Sequence, residues 1–179
     1  MQPGKAYLAA LIPPGSVEAE IGKVQAGIFA EHGLASAQAL PPLIPVAFLR
    51  NAPVRGFLAD LERSVRAGWN ARAAGPAWIE GYLFVTVQTG GLWAGLRARA
   101  LAETGGDLRG PFPAAEGFCM GCADAEPGLR ARIMPAAPGL SFSSCTLSIM
   151  RFESPREEWW RELYWETLDE RPLRGRRGT

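Results

Sequence analysis

Histidine is almost missing from this chain. His32 is the single one in 179 residues, so proton transfer shared between two imidazoles is excluded. Cysteine is scarce too. Cys119, Cys122 and Cys145 are odd in number and lack the spacing of a secreted disulfide framework, which favours a reducing, cytoplasmic setting. Cys119-Met120-Gly121-Cys122 is formally a C-x-x-C pair. Zinc would need two further ligands, and only Cys145 and His32 remain to supply them. A redox pair would open a helix after a strand, whereas these flanks read as a strand running into a turn, so the thiols are expected to be buried strand residues. No metal site and no cofactor are expected. Neither a G-x-G-x-x-G nor a P-loop pattern is present, and no Ser/His/Asp set has recognisable spacing. No apolar run reaches the roughly 18 residues that a membrane helix needs. The opening residues lack the layout of a secretory signal. A net charge of +1 argues against non-specific nucleic-acid binding over the whole surface.

What is present is apolar patterning. Hydrophobic residues make up 47% of the chain, enough for one compact domain with its own core. Tyr7–Ile12 reads as a buried strand ended by Pro13-Pro14-Gly15. Ser16 is placed to cap a helix whose stripe is Val17, Ile21, Val24 and Ile28, with His32 at its end and Gly33 as its stop. Residues 37–49 are strand-like but interrupted by Pro41, Pro42 and Pro45, which call for an edge or a bulge. Asn51 and Pro53 open a second helix with the stripe Val54, Leu58, Leu61 and Val65, Trp69 near its end. Residues 78–89 alternate as a central strand. A third helix follows from Leu92 to Thr104, stopped by Gly105-Gly106. Residues 117–123 and 141–152 read as strands. Ser154-Pro155-Arg156-Glu157 has the form of a capping box with proline at the first helical position, so a final helix is predicted through Trp159, Trp160, Leu163, Tyr164 and Trp165. The order β-α-β-α-β-α-β-β-α implies an α+β fold.

This organisation resembles the two-histidine phosphoesterase superfamily, which includes bacterial RNA 2′,5′-ligase-like and 2′,3′-cyclic phosphodiesterase proteins. The likeness is carried by Tyr7-Leu8-Ala9-Ala10-Leu11-Ile12-Pro13-Pro14 running into an amphipathic helix. Leu40-Pro41-Pro42-Leu43-Ile44-Pro45-Val46-Ala47-Phe48-Leu49 is similar to the family's first His-x-Thr motif, and Phe142-Ser143-Ser144-Cys145-Thr146-Leu147-Ser148-Ile149 to its second. The segment Gly81-Tyr82-Leu83-Phe84-Val85 resembles the start of a second lobe. The resemblance implies a bilobal domain over 1–179, with two pseudo-symmetric lobes of antiparallel sheet and helices packed outside. The lobes are expected to interleave, with the first over about 1–70, the second over 75–152, and the final helix and tail over 153–179.

In the family, two imidazoles facing each other across a groove move the protons and two threonines hold the phosphate. Carried onto this chain, the first pair falls on Leu43 and Pro45, and the second on Ser144 and Thr146. Leu and Pro cannot move a proton or donate a side-chain hydrogen bond. Ser144 has no pKa near neutrality without an activating base. The expected protein is therefore a non-catalytic binding or scaffold module, with Ser144, Thr146 and Ser148 sharing one strand face as ligand-binding candidates. Its expected occupant is a small polar ligand or a protein partner. The alternative is an active phosphodiesterase or ligase-like enzyme with relocated groups, drawn from His32, Glu80, Glu116 and Cys145. Arg171, Arg174, Arg176 and Arg177 offer a weak nucleic-acid contact at the C-terminus.

Overall fold

A computed structural model describes residues 4–65, 68–104, 110–136, 138–154 and 158–175. The first strand, β1 (Gly4–Ile12), turns at Pro13-Pro14 into α1 (Gly15–His32). No side chain caps α1: Ser16 lies inside its first turn and Pro14 holds the cap position with extended backbone, a correction to the sequence reading. The expected stop is there, with Gly33 in the left-handed conformation at φ 69 and its N–H bonded to the Phe29 carbonyl. A single turn, α2 (Ser36–Ala39), then leads to β2 (Ile44–Leu49). The next helix is α3 (Phe57–Ser64), shorter than its apolar stripe implied. Val54 precedes it and is 79% exposed, while Trp69 lies beyond it in the core.

Strands β3 (Ala71–Ile79) and β4 (Tyr82–Gln88) form a hairpin closed by Glu80 and Gly81, both at positive φ. That pair of conformations matches the twist of the flanking strands and fits a two-residue loop. Then come α4 (Leu92–Thr104), β5 (Gly117–Cys119) and the short α5 (Pro127–Arg130). Gly105 and Gly106, the expected stop of α4, lie outside the described residues. The run read as one strand over 141–152 is two: β6 (Ser141–Phe142) and β7 (Ser144–Ser154). The predicted final helix is absent. A 3-10 turn at Trp159–Arg161 precedes an eleven-residue strand, β8 (Tyr164–Arg174), paired along β7. Aromatic residues favour a strand here, Pro172 could not sit inside a helix, and β7 offers a free edge. Of the capping box, residues 155–157 lie outside the described residues.

Two antiparallel four-stranded sheets result, ordered β2-β1-β7-β8 and β5-β4-β3-β6. The orders coincide when β1 is matched with β4 and β2 with β5, so β1-α1-β2 and β4-α4-β5 are equivalent units. The class is α+β, as expected. Sheet membership interleaves along the chain, because β7 and β8 return to complete the sheet of β1 and β2. The chain changes sheets at Ser143, between β6 on β3 and β7 on β1.

Strand alternation gives each sheet two faces. Ala9, Leu11, Ile44, Leu83, Val85 and Leu147 turn towards the helices and meet Val17, Ile21 and Ile28 of α1, Leu61 of α3 and Leu96 of α4. Leu8, Ala10, Phe48, Phe84, Met150 and Phe152 turn the other way and form a second apolar cluster.

The rims of the first sheet are closed. On β2, the Pro45 carbonyl accepts from Trp93 Nε1 at 2.8 Å and the Val46 carbonyl from Arg97 Nη1 at 2.6 Å, both from α4. A bulge at Val46 opposite β1 accommodates Pro45, which has no N–H to give to a ladder. On β8, Leu168 is the extra residue of a second bulge, Pro172 again lacks a donor, and Asp169 Oδ1 accepts the Glu170 N–H at 2.9 Å. No helix among the described residues is long and apolar enough to cross a membrane.

Candidate functional site

The sequence places Leu43 and Pro45 on one wall of a groove and Ser144 and Thr146 on the other. The structure corrects this. β2 and β7 belong to the same sheet and flank β1. Pro45 and Ser148 lie opposite the same residue, Ala10, and Thr146 lies opposite Ile12. Strands two apart in a sheet are about 9.5 Å from each other, side by side and not face to face.

The register shows what corresponds to Leu43 and Pro45 in the other unit. Ile44 pairs with Leu11 and points to the helices. In the second unit Glu116 occupies that place, its carbonyl accepting the Val87 N–H at 2.9 Å. Leu43 therefore corresponds to Ala115, and Pro45 to Gly117. Neither Ala nor Gly supplies a proton or a side-chain hydrogen bond. Gly117 cannot be enlarged: a Cβ there would come within 2.7 Å of the Val85 carbonyl oxygen and 2.9 Å of Thr86 Cα. The sequence signal for this pair, Pro113-Ala114-Ala115-Glu116-Gly117 after Phe112, passes unnoticed because neither Ala115 nor Gly117 is polar.

Among the described residues, the part of the face around these positions is closed. Leu43 is fully buried, and Phe48, Phe112 and Phe152 are each at most 2% exposed. The Phe48 and Phe112 rings meet edge-on at 5.2 Å, and Phe112 and Phe152 at 5.9 Å. This geometry is the favourable one for aromatic quadrupoles. The backbone closes against the same rings, since a Cβ on Gly110 would overlap the Phe48 ring. Tyr82 donates its hydroxyl hydrogen to the Pro111 carbonyl at 2.6 Å and pins that loop. Trp160 and Leu163, from the turn before β8, pack over the cluster.

The groups named for relocated chemistry do not converge. His32 ends α1, which covers the opposite face of the sheet. It lies 3.8 Å from Glu31 and lines a separate groove of about 370 Å³ with Arg132 and Ile133. Glu80 is exposed in the hairpin turn. Glu116 Oε1 accepts both the Thr89 N–H at 2.9 Å and the Thr89 hydroxyl at 2.5 Å, while Thr89 Oγ1 accepts the Trp93 N–H, so this carboxylate belongs to the start of α4. Cys145 points to the helix side and is 6% exposed; burial pushes its thiol up to about 12. Burial likewise pushes the thiols of Cys119 and Cys122 up to about 12, and all three cysteines are free. Among the described residues no group of His, Cys, Asp and Glu could hold a metal ion.

An open groove of about 470 Å³ does exist, at the end of the sheet where β1 runs into α1. Ser144 and Thr146 line it, together with Pro13, Pro172 and Arg174. Ser148, the third candidate on that strand face, is 1% exposed, and its hydroxyl has no hydrogen-bond partner among the described residues. Arg171 points elsewhere, 4.0 Å from Glu62. Glu166, Asp169 and Glu170 precede the two arginines along β8, so this strand is no basic stripe. Arg176 and Arg177 lie outside the described residues.

No sequence family and no curated protein matches the chain. Solved structures match it in fold over nearly its whole length. LigT of E. coli complexed with 3′-AMP is 14% identical with a TM-score of 0.60, covering 95% of this chain and 98% of that one. TT0787 of Thermus thermophilus is 18% identical with a TM-score of 0.61, covering 96% and 100%. A further phosphoesterase is 16% identical with a TM-score of 0.61, covering 95% and 99%.

Proposed function

We propose that this chain, which has the fold of the two-histidine phosphoesterases, is a non-catalytic binding module. The observation that supports this most is the state of the motif positions: Leu43, Pro45, Ala115 and Gly117 carry no ionisable group, and Leu43 and Ala115 lie in one apolar cluster with the buried rings of Phe48, Phe112 and Phe152. Losing one general acid–base group forfeits about 10²–10⁴ in rate, and both histidine positions are apolar here. In this proposal the binding surface is the open groove at Ser144 and Thr146, on the same face of β7 as Met150 and Phe152 but away from the buried rings, because ligands need an open cavity with convergent polar groups. A small polar ligand suits it. LigT of E. coli has been solved with 3′-AMP, with ATP and with NADP⁺, so a protein of this fold accommodates such molecules. Glu166, Asp169 and Glu170, which precede Arg171 and Arg174 on β8, favour a small ligand over a polyanion.

The test is incubation of the purified chain with 2′,3′-cyclic nucleotides and 2′,5′-linked oligonucleotides. No turnover above a buffer control is expected. Hydrolysis that survives repurification and disappears in Thr146→Val would overturn the proposal.

A further inference from the structure

We propose that the groove beside Ser144 binds a small organic monoanion, a carboxylate carrying an apolar body. The inference rests on the reading that this groove is the binding surface, and adds the class of ligand.

Charge points to an anion. Arg174 stands directly across the β7–β8 ladder from Ser144, on the same face as Thr146. The other cations of this sheet are engaged: Lys5 with Glu153 at 3.3 Å, Arg151 with Glu166 at 2.8 Å, and Arg171 with Glu62 at 4.0 Å. Among the described residues Arg174 has no carboxylate partner, and it is the charged side chain that lines the groove. Its planar guanidinium suits a carboxylate, which it can hold through two parallel hydrogen bonds.

Hydroxyls extend the site. Ser144 and Thr146 face the cavity, and Ser148 continues their row inwards with a hydroxyl that the described residues leave unpartnered. The protein's own hydrogen bonding therefore does not use up the polar face of β7.

The walls decide the rest of the ligand. Pro13, Pro14, Pro172 and Leu173 are apolar, and about 470 Å³ accommodates a ring or a branched chain beside the charged end. Among the described residues one guanidinium lines the groove, and it neutralises one negative charge. A doubly charged phosphate monoester would keep the second against proline and leucine, where an uncompensated charge is costly.

The experiment is a titration of the isotope-labelled full chain, followed by backbone-amide NMR, with sodium benzoate and, separately, with sodium phenyl phosphate at a pH where the latter is doubly charged. Benzoate is expected to give saturable shifts confined to residues 143–147 and 173–175. Arg174→Gln should weaken it by about tenfold, since a hydrogen bond to a charged group is worth about 1.5–3 kcal/mol and each 1.4 kcal/mol is one decade. Phenyl phosphate should bind no tighter than benzoate. Absence of saturable benzoate shifts, indifference to Arg174→Gln, or tenfold tighter phenyl phosphate would each overturn the inference. None of these outcomes bears on catalysis, which the cyclic-nucleotide assay decides separately.

Discussion

Phe112→Ala is the sharpest test of the sealed face. Phe112 is 2% exposed and meets both Phe48 and Phe152 edge-on, so its ring is the centre of the seal. Truncating a buried phenylalanine costs about 3–5 kcal/mol through lost transfer energy and the cavity left behind. The upper half of that range applies here, because each aromatic pair adds about 0.5–1.5 kcal/mol beyond area burial and two are lost together. Against a typical domain stability of about 5–15 kcal/mol, the variant should unfold at much lower urea concentration without a change in slope. Urea denaturation followed by tryptophan fluorescence measures this directly. Benzene should raise the variant's midpoint and leave the parent's unchanged, since an apolar cavity takes an apolar guest. A loss below about 1 kcal/mol would mean that the ring is not packed as described, and the case for a closed face would fall with it.

Other consequences are equally open to measurement. The double variant Leu43→His/Ala115→His is expected to gain no phosphodiesterase activity and to lose stability, because it puts imidazoles into an apolar cluster beside Pro45 and Gly117; appearance of turnover would refute the sealed-face argument. Trp93→Phe removes the indole donor from the Pro45 carbonyl and should cost about 1–3 kcal/mol in thermal or urea unfolding. The three thiols are held near 12 against 9.0 when exposed, so above about pH 9 the unfolded chain sheds protons that the native chain keeps. Stability should therefore fall as pH rises from about 9 towards 12, and native thiols should react with iodoacetamide only under unfolding conditions; fast labelling of the folded chain would contradict their burial.

The elements readable from sequence were those with local causes. Val17, Ile21 and Ile28 repeat at helical spacing and Gly33 supplies a left-handed stop, so α1 was legible, as were α4 and the alternation of β4. β3 was not, because Ala71–Ile79 is largely Ala, Gly and Pro and joins the sheet through its turn and its partner, not its propensity. β8 was misread because Ser154-Pro155-Arg156-Glu157 has the form of a helix start, while the decisive interaction is long-range pairing with β7. That the chain cannot bring two imidazoles together was visible in composition alone. The counterpart of Leu43 and Pro45 in the second unit was not, because Ala115 and Gly117 bear no chemical mark, and finding them requires knowing which strand accompanies β4. A run that reads as one strand over 141–152 crosses from one sheet to the other at Ser143, and no residue in it announces the change.

The guarded rims of the first sheet limit how copies of this protein can meet. A foreign strand approaching β2 finds carbonyls already taken by an indole and a guanidinium; one approaching β8 finds a missing donor at Pro172, a kink at Leu168 and an amide already satisfied by its neighbour. Backbone-templated growth, the route to runaway polymers, is closed on both sides. Any assembly of this chain through its first sheet must be written in side chains such as Tyr164 and Trp165, which makes it specific, saturable and open to alteration one residue at a time.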